Sequence, residues 1–219
     1  MSRHRDQGLA LADKPYISIV EHYEACLEKH GDSHLGVDWP KAEDVDTRYG
    51  VMLGVITRPI SDPVRLLDFG CGASHLYEYI RREGVTGIEY SGLDISERFV
   101  ELSRAKYPEI TYYCSDILAH DIELPRFDYV VMNGVFTERA DLAFDDMLAY
   151  FKQVVRKVFD IVEVGLAFNV MSKQVDWERE DLFHLPLDVL GEFLTTEISR
   201  NFVVRHDYGL FEYTAYVYR

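Results

Sequence analysis

The stretch Asp68-Phe69-Gly70-Cys71-Gly72 joins a short apolar run to a helical pattern, and the rest of the chain reads as organised around it. Gly70 and Gly72 lack a Cβ, so the backbone can turn sharply and a ligand can lie directly against it. The helix that follows would point free N–H groups back into the turn, which favours a polar or anionic ligand group. Asp68 places a carboxylate beside the same turn. Three further residues end or follow apolar runs in the same way: Asp94, Asp116 and Asn133. Ligands of doubly wound sheets bind beyond the carboxyl ends of the strands, so these four positions form the candidate site. A carboxylate at Asp94 can accept both hydroxyls of a ribose in one geometry; it could equally serve the macrodipole of the next helix.

A general base would come from the surrounding loops, and the candidates are His30, His34, Asp38, Glu138, His184 and His206. His184, in the loop over the fifth strand, and His206, at a hairpin rim, are the best-placed catalytic candidates. Cys26, Cys71 and Cys114 are odd in number and lack metal-ligand spacing, so no metal site is expected and all three read as reduced, mostly buried thiols.

The elements that must position these residues follow from periodicity. Pro15 opens a helix with Tyr16, Ile19, Val20, Tyr23 and Leu27 on one face, and Gly31 closes it. After the polar turn 30–40 a second helix runs from about Val45 to Thr57, ended by Arg58-Pro59 and Asp62-Pro63. Short apolar runs then alternate with helical patterns, the signature of a parallel sheet covered on both faces. Strands are predicted at Val64–Asp68, Gly87–Asp94, Ile110–Ser115, Asp128–Met132 and Val164–Val170. Helices are predicted after Gly72, after Ser96 (with Phe99 and Leu102 inward), over Leu142–Val158, and from Pro186 to about Ser199. Two last strands, Phe202–His206 and Phe211–Tyr218, flank Asp207-Tyr208-Gly209-Leu210, read as a tight hairpin. The expected organisation is an N-terminal helical segment or lid over 1–60 and a main α/β domain over 61–219.

Acidic residues outnumber basic ones by 38 to 23, a formal charge of −15. That balance argues against a nucleic-acid surface, which rests on clustered Lys and Arg. The start has no apolar core of signal-peptide length and no run is long enough to span a bilayer. A cytoplasmic protein, monomeric or homodimeric and with neither membrane nor nucleic-acid partner, is expected.

Asp68-Phe69-Gly70-Cys71-Gly72 resembles the first motif of the class I S-adenosylmethionine-dependent methyltransferases, and the order of elements fits that family from about Pro63 onward. The resemblance implies a Rossmann-like, doubly wound, seven-stranded, mostly parallel sheet with a C-terminal antiparallel hairpin. It implies S-adenosyl-L-methionine as cofactor, leaving as S-adenosyl-L-homocysteine. Gly70, Cys71 and Gly72 would then lie against the methionine half, with Asp68 toward its amino group. Asp94 and Ile95 would meet the ribose, Asp116 and Ile117 the adenine, and Asn133 the neighbourhood of the transferred methyl. Arg48, in the lid with Trp39 and Tyr49, would suit the cofactor carboxylate, or else pair at the surface with Asp44. The phrases 36–40, 165–169 and 207–213 are similar to those of bacterial small-molecule methyltransferases, which implies a small polar acceptor, methylated on oxygen or nitrogen. Two rivals stay open: a nonenzymatic S-adenosylmethionine-binding protein, and an NAD-dependent oxidoreductase, whose third glycine would fall where His75 stands.

Overall fold

The computed structural model describes residues 14–57, 63–119 and 123–219. The expected breakers Arg58, Pro59 and Asp62, and also His4 and His120, lie outside the described residues.

The sheet forms where the apolar runs predict it. β1 (Val64–Phe69) pairs in parallel with β2 (Ile88–Asp94) on one side and β4 (Phe127–Phe136) on the other. β3 (Thr111–Cys114) adds beyond β2, and β5 (Val162–Ser172) beyond β4, both parallel. β7 (Phe202–Arg205) and β8 (Glu212–Tyr218) close the sheet as an antiparallel pair on β5, giving the order β3-β2-β1-β4-β5-β8-β7. An eighth strand, β6 (His184–Leu185), pairs with Met171 and Ser172 of β5, past the last β4 partner at Val170. Tyr129, Val130, Val131 and Met132 are all fully buried, so β4 is covered on both faces as its unbroken apolar run requires.

One face carries α5 (Phe144–Asp160), whose Met147, Phe151, Val154, Val155 and Val158 recur at helical spacing and are fully buried. α6 (Leu187–Phe193), running into a π-helical turn at Leu194–Ile198, and the first helix α1 (Ile17–His30) share that core. The other face is covered by α2 (Ala42–Leu53), α3 (His75–Arg82) and α4 (Glu97–Lys106). α1 and α2 therefore clamp opposite faces, and the connection between them passes the carboxyl ends of the strands: Val37 lies over Gly72, and Trp39 against Gly134. Among the described residues no helix is long and apolar enough to cross a membrane.

Several expectations are corrected. α2 starts at Ala42 and stops at Leu53, beyond which the N–H groups of Val55 and Ile56 close on Met52 and Leu53, three residues back, in a tighter turn. β4 runs on to Phe136, bulging between Met132 and Phe136, so Asn133 lies within the strand and not at its end. The last two strands join by a wider loop than a tight hairpin, with Arg205 and Thr214 the final pair. Leu102 is only half-buried, since Ser103, not Leu102, faces the core at that turn of α4. Cys114 is exposed, at the edge of the outermost strand.

Candidate active site

The glycine turn is built by backbone hydrogen bonds to β2. The N–H groups of Gly70 and Cys71 donate to the Leu93 carbonyl at 2.7 and 3.0 Å, and that of Gly72 donates to Asp94 Oδ2 at 2.8 Å. Gly70 and Gly72 have φ of 74° and 50°, the region where a Cβ is strained. The turn thus spends these N–H groups on its own shape. What it presents instead is an open, side-chain-free surface.

A groove of about 130 Å³ runs along that surface, lined by Asp68, Gly70, Cys71, Gly72, Asp94, Ile95 and Asn133 among others. A smaller lobe shares Gly70, Asp94 and Ile95 with it and ends at Asp116 and Ile117. The predicted cofactor residues therefore line these two adjoining hollows, with the exception of Arg48.

The charges in the groove are buried. Asp68, 3% exposed, accepts from Tyr90 Oη at 2.7 Å, and burial, reinforced by Asp94, raises its carboxyl to about 7. Asp94 accepts the N–H groups of Gly72 and Ser96, and burial pushes its carboxyl up against those bonds. Each oxygen of a carboxylate has a second lone pair, so Asp94 can still accept a diol. The Asn133 Oδ1 is buried with no hydrogen-bond partner, an acceptor waiting for a donor. Asp116 is engaged already: Lys14 Nζ lies 2.5 Å and Tyr16 Oη 2.8 Å from Oδ2, and Leu118 N–H donates to Oδ1. One lone pair of Oδ1 is left for a ligand amine.

The N-terminal helix roofs the groove. Ile19, Val20 and Tyr23 line it, Tyr16 stacks on Tyr150 at 4.7 Å, and Ser96 Oγ donates to Glu24 at 2.5 Å. Tyr23 Oη donates to the Gly134 carbonyl at 3.1 Å.

A second cavity, of about 340 Å³, opens beside the first. Trp39 is the lining residue common to both. Its backbone is pinned twice by His34: the Trp39 N–H donates to the His34 carbonyl at 2.7 Å, and His34 Nδ1 donates to the Trp39 carbonyl at 2.6 Å. Arg48 belongs here, not to the first groove and not to Asp44. Its guanidinium lies 4.1 Å from the centre of the Trp39 ring and its Nε donates to Glu212 Oε2 at 3.0 Å. Glu212 Oε1 accepts from Asn169 Nδ2 at 3.0 Å, and Asn169 Oδ1 accepts the Gly134 N–H at 2.8 Å. A closed ring of contacts, Gly134, Asn169, Glu212, Arg48 and Trp39, thereby frames the junction between the cavities. It unites the phrases 36–40, 165–169 and 207–213, which the sequence offered as unconnected signals.

The two histidines expected to act as bases stand apart from each other. His184 is in β6, buried, with Nδ1 donating to the Ser172 carbonyl at 2.6 Å and Nε2 accepting the Arg179 N–H at 3.2 Å. Both nitrogens are spoken for, although the ring lines the second cavity. His206 is exposed on the β7–β8 loop and lines neither cavity. Glu138 lines the second cavity instead, 8% exposed. Sequence spacing also concealed the grouping of His22, Cys26 and Asp38, whose ligand atoms lie within 4.8 Å of one another; His22 Nε2 and Asp38 Oδ2 are hydrogen-bonded at 2.9 Å.

Comparison with known proteins agrees with this geometry. Residues 66–158 match a family model described as "Methyltransferase domain". A Mycobacterium tuberculosis protein named "Putative methyltransferase Rv1506c" is 24% identical over 162 residues, which is 72% of this chain and 94% of that protein. The magnesium protoporphyrin IX methyltransferase of Synechocystis PCC 6803, solved with bound S-adenosylmethionine, superposes with a TM-score of 0.66 at 12% identity, over 96% of this chain and 100% of that one. A plantazolicin methyltransferase, solved with a pentazolic desmethylPZN analogue and S-adenosylhomocysteine, gives 0.57 at 13% identity, over 95% and 92%. The domain match covers the glycine turn and the strand ends that line the groove, and the fold shared with these solved methyltransferases extends over nearly the whole chain.

Proposed function

We propose that the protein moves a methyl group from S-adenosylmethionine to an oxygen, or in second place a nitrogen, of a small polar metabolite. The observation that supports this is the second cavity. It adjoins the cofactor groove at Trp39, has the volume of a small-molecule site, and carries ionisable groups along its wall.

In this reading the side-chain-free turn at Gly70–Gly72 lets the methionine portion approach the backbone, and Asp68 receives its ammonium. Asp94 accepts the ribose hydroxyls with its remaining lone pairs, Asp116 and Ile117 bracket the adenine, and the unpartnered Asn133 Oδ1 accepts a donor from the bound cofactor. When bound, the cofactor supplies a methyl group on a positively charged sulfur, already activated toward attack. The protein's part is then alignment of the acceptor and removal of its proton. Within the expected 1–60 segment, the described residues 14–57 serve as the lid, with Tyr23 and Trp39 walling off water and Arg48 holding the indole in place.

Calorimetric titration with S-adenosylmethionine, S-adenosylhomocysteine and NAD tests the cofactor assignments. Micromolar binding of the two sulfur cofactors, lost in Asp94→Ala and absent for NAD, is expected. Binding that survives the substitution would overturn the role given to Asp94. Transfer of labelled methyl to a panel of hydroxylated and amino metabolites then tests the acceptor class.

A further inference from the structure

Glu138 lies two residues beyond β4, where an isolated bridge to Leu182 fixes its backbone. Glu138 as a whole is 8% exposed and lines the second cavity, and its carboxylate has no hydrogen bond or ion pair among the described residues. Buried carboxylates are ordinarily paired, so an unpaired one aimed into a cavity marks a place for a ligand proton. The groups facing it are His22 from α1, Asp38 from the α1–α2 connection, and Arg179 and Asp181 from the segment before β6. Tyr23 and Cys26 of α1 also feel its charge.

The same cavity has aromatic walls. Trp39 forms its inner end, and Trp177 and Phe211, 74% and 59% exposed, line it as well. Large exposed aromatics converging on one cavity suit a flat ring, which stacks on them.

We propose that Glu138 is the general base of the acceptor site and that the acceptor is a hydroxylated aromatic ring held among Trp39, Trp177 and Phe211. This rests on the methyltransferase reading above and deepens it. The Glu138 carboxylate takes the proton of the ring hydroxyl. The oxygen's electron pair forms the new O–C bond to the methyl carbon as the S–C bond breaks, and that bond's electrons stay on sulfur. Sulfonium cofactor, phenol and carboxylate thus become thioether, methyl ether and carboxylic acid, with charge conserved. Burial, helped by Asp38 and Asp181, raises Glu138 to about 7. That places it closer to a phenol, with a pKa of about 10, than an ordinary carboxylate stands.

The test combines a titration and a reaction on the full chain. Carboxyl-¹³C NMR of the cofactor-free protein, assigned by the signal missing in Glu138→Gln, should show Glu138 titrating near neutrality. S-adenosylhomocysteine should bind wild type and Glu138→Gln alike by calorimetry. With catechol as acceptor probe, Glu138→Gln should slow methyl ether formation by about a hundredfold to ten-thousandfold, and wild type alone should show a rate rising with pH up to about 7. Partial recovery is expected in Glu138→Asp. An ordinary carboxylate titration, or a variant rate within about threefold of wild type, would overturn the base. Intact S-adenosylhomocysteine binding without methylation of catechol by wild type would overturn the aromatic acceptor. Failure of wild type to bind S-adenosylhomocysteine would overturn the underlying cofactor reading instead, so the failures are told apart.

Discussion

Arg48 and Glu212, 164 positions apart, meet through a single Nε–Oε2 hydrogen bond of 3.0 Å beneath the Trp39 ring. Their side chains are only 11% and 2% exposed, and the pair ties α2 to the first residue of β8. Arg48 Nη1 is buried beside it without a partner.

Removing one member of such a pair strands the other. Arg48→Ala should cost about 3–5 kcal/mol in urea unfolding, because Glu212 keeps a buried charge with only Asn169 to satisfy it. Adding Glu212→Gln to that variant should restore a large part of the loss. A double variant no more stable than Arg48→Ala would show that the cost lies in lost packing over Trp39.

Gly134 is a steric keystone. Its φ is 81°, and a Cβ there would stand 2.7 Å from Trp39 Cζ2. Gly134→Ala should therefore displace the indole and destabilise the protein by roughly 1–3 kcal/mol. The sequence has two tryptophans, so the emission of Trp39 can be followed in a Trp177→Phe background. An unchanged spectrum would mean that the loop carrying Trp39 absorbs the methyl group.

Asp68 supplies a protonic signature of cofactor binding. Its carboxyl titrates at about 7 in the ligand-free protein, and a cationic amino group beside it favours the ionised form. Below neutrality, binding of S-adenosylhomocysteine should thus release protons, read as a dependence of the calorimetric enthalpy on buffer ionisation heat. In Asp68→Asn the dependence should vanish.

Stability against pH should fall through the neutral range. Glu138 is raised to about 7 in the folded chain, so the folded state holds a proton that the unfolded state has released. Its contribution is complete below the unfolded value of about 4.3 and is lost as pH rises through about 7, a change of roughly 3 kcal/mol. Asp68 acts in the same sense. Glu138→Gln should flatten the decline measured by denaturation at a series of pH values, and an unaltered slope would place the raised carboxyl elsewhere.

The groove residues were legible because the rule that finds them is local. A strand end is read from a short apolar run, and Asp68, Asp94 and Asp116 follow directly. Asn133 was found for an incomplete reason, since β4 continues through it to Phe136. The junction was not legible as a unit. Asn169 reaches Glu212 only because β5 and β8 run antiparallel in one register, with Asn169 opposite Thr214, and no sequence spacing encodes that. His184 misled because a two-residue strand is too short to show a period, so its ring looked free in a loop. Glu138 stood among the six candidate bases, but its sequence position gave no reason to prefer it to the histidines; that reason lies in its burial and its place on the second cavity.

The two cavities have Trp39 in common and otherwise separate walls. The protein therefore has two doors that need not open together. In the proposed reading the spent cofactor would sit behind α1, which is held by the Lys14–Asp116 pair and the Ser96–Glu24 hydrogen bond. A methylated product, by contrast, can pass out between Trp177 and Phe211 without disturbing that latch. In that reading turnover would be timed by the slower of the two doors.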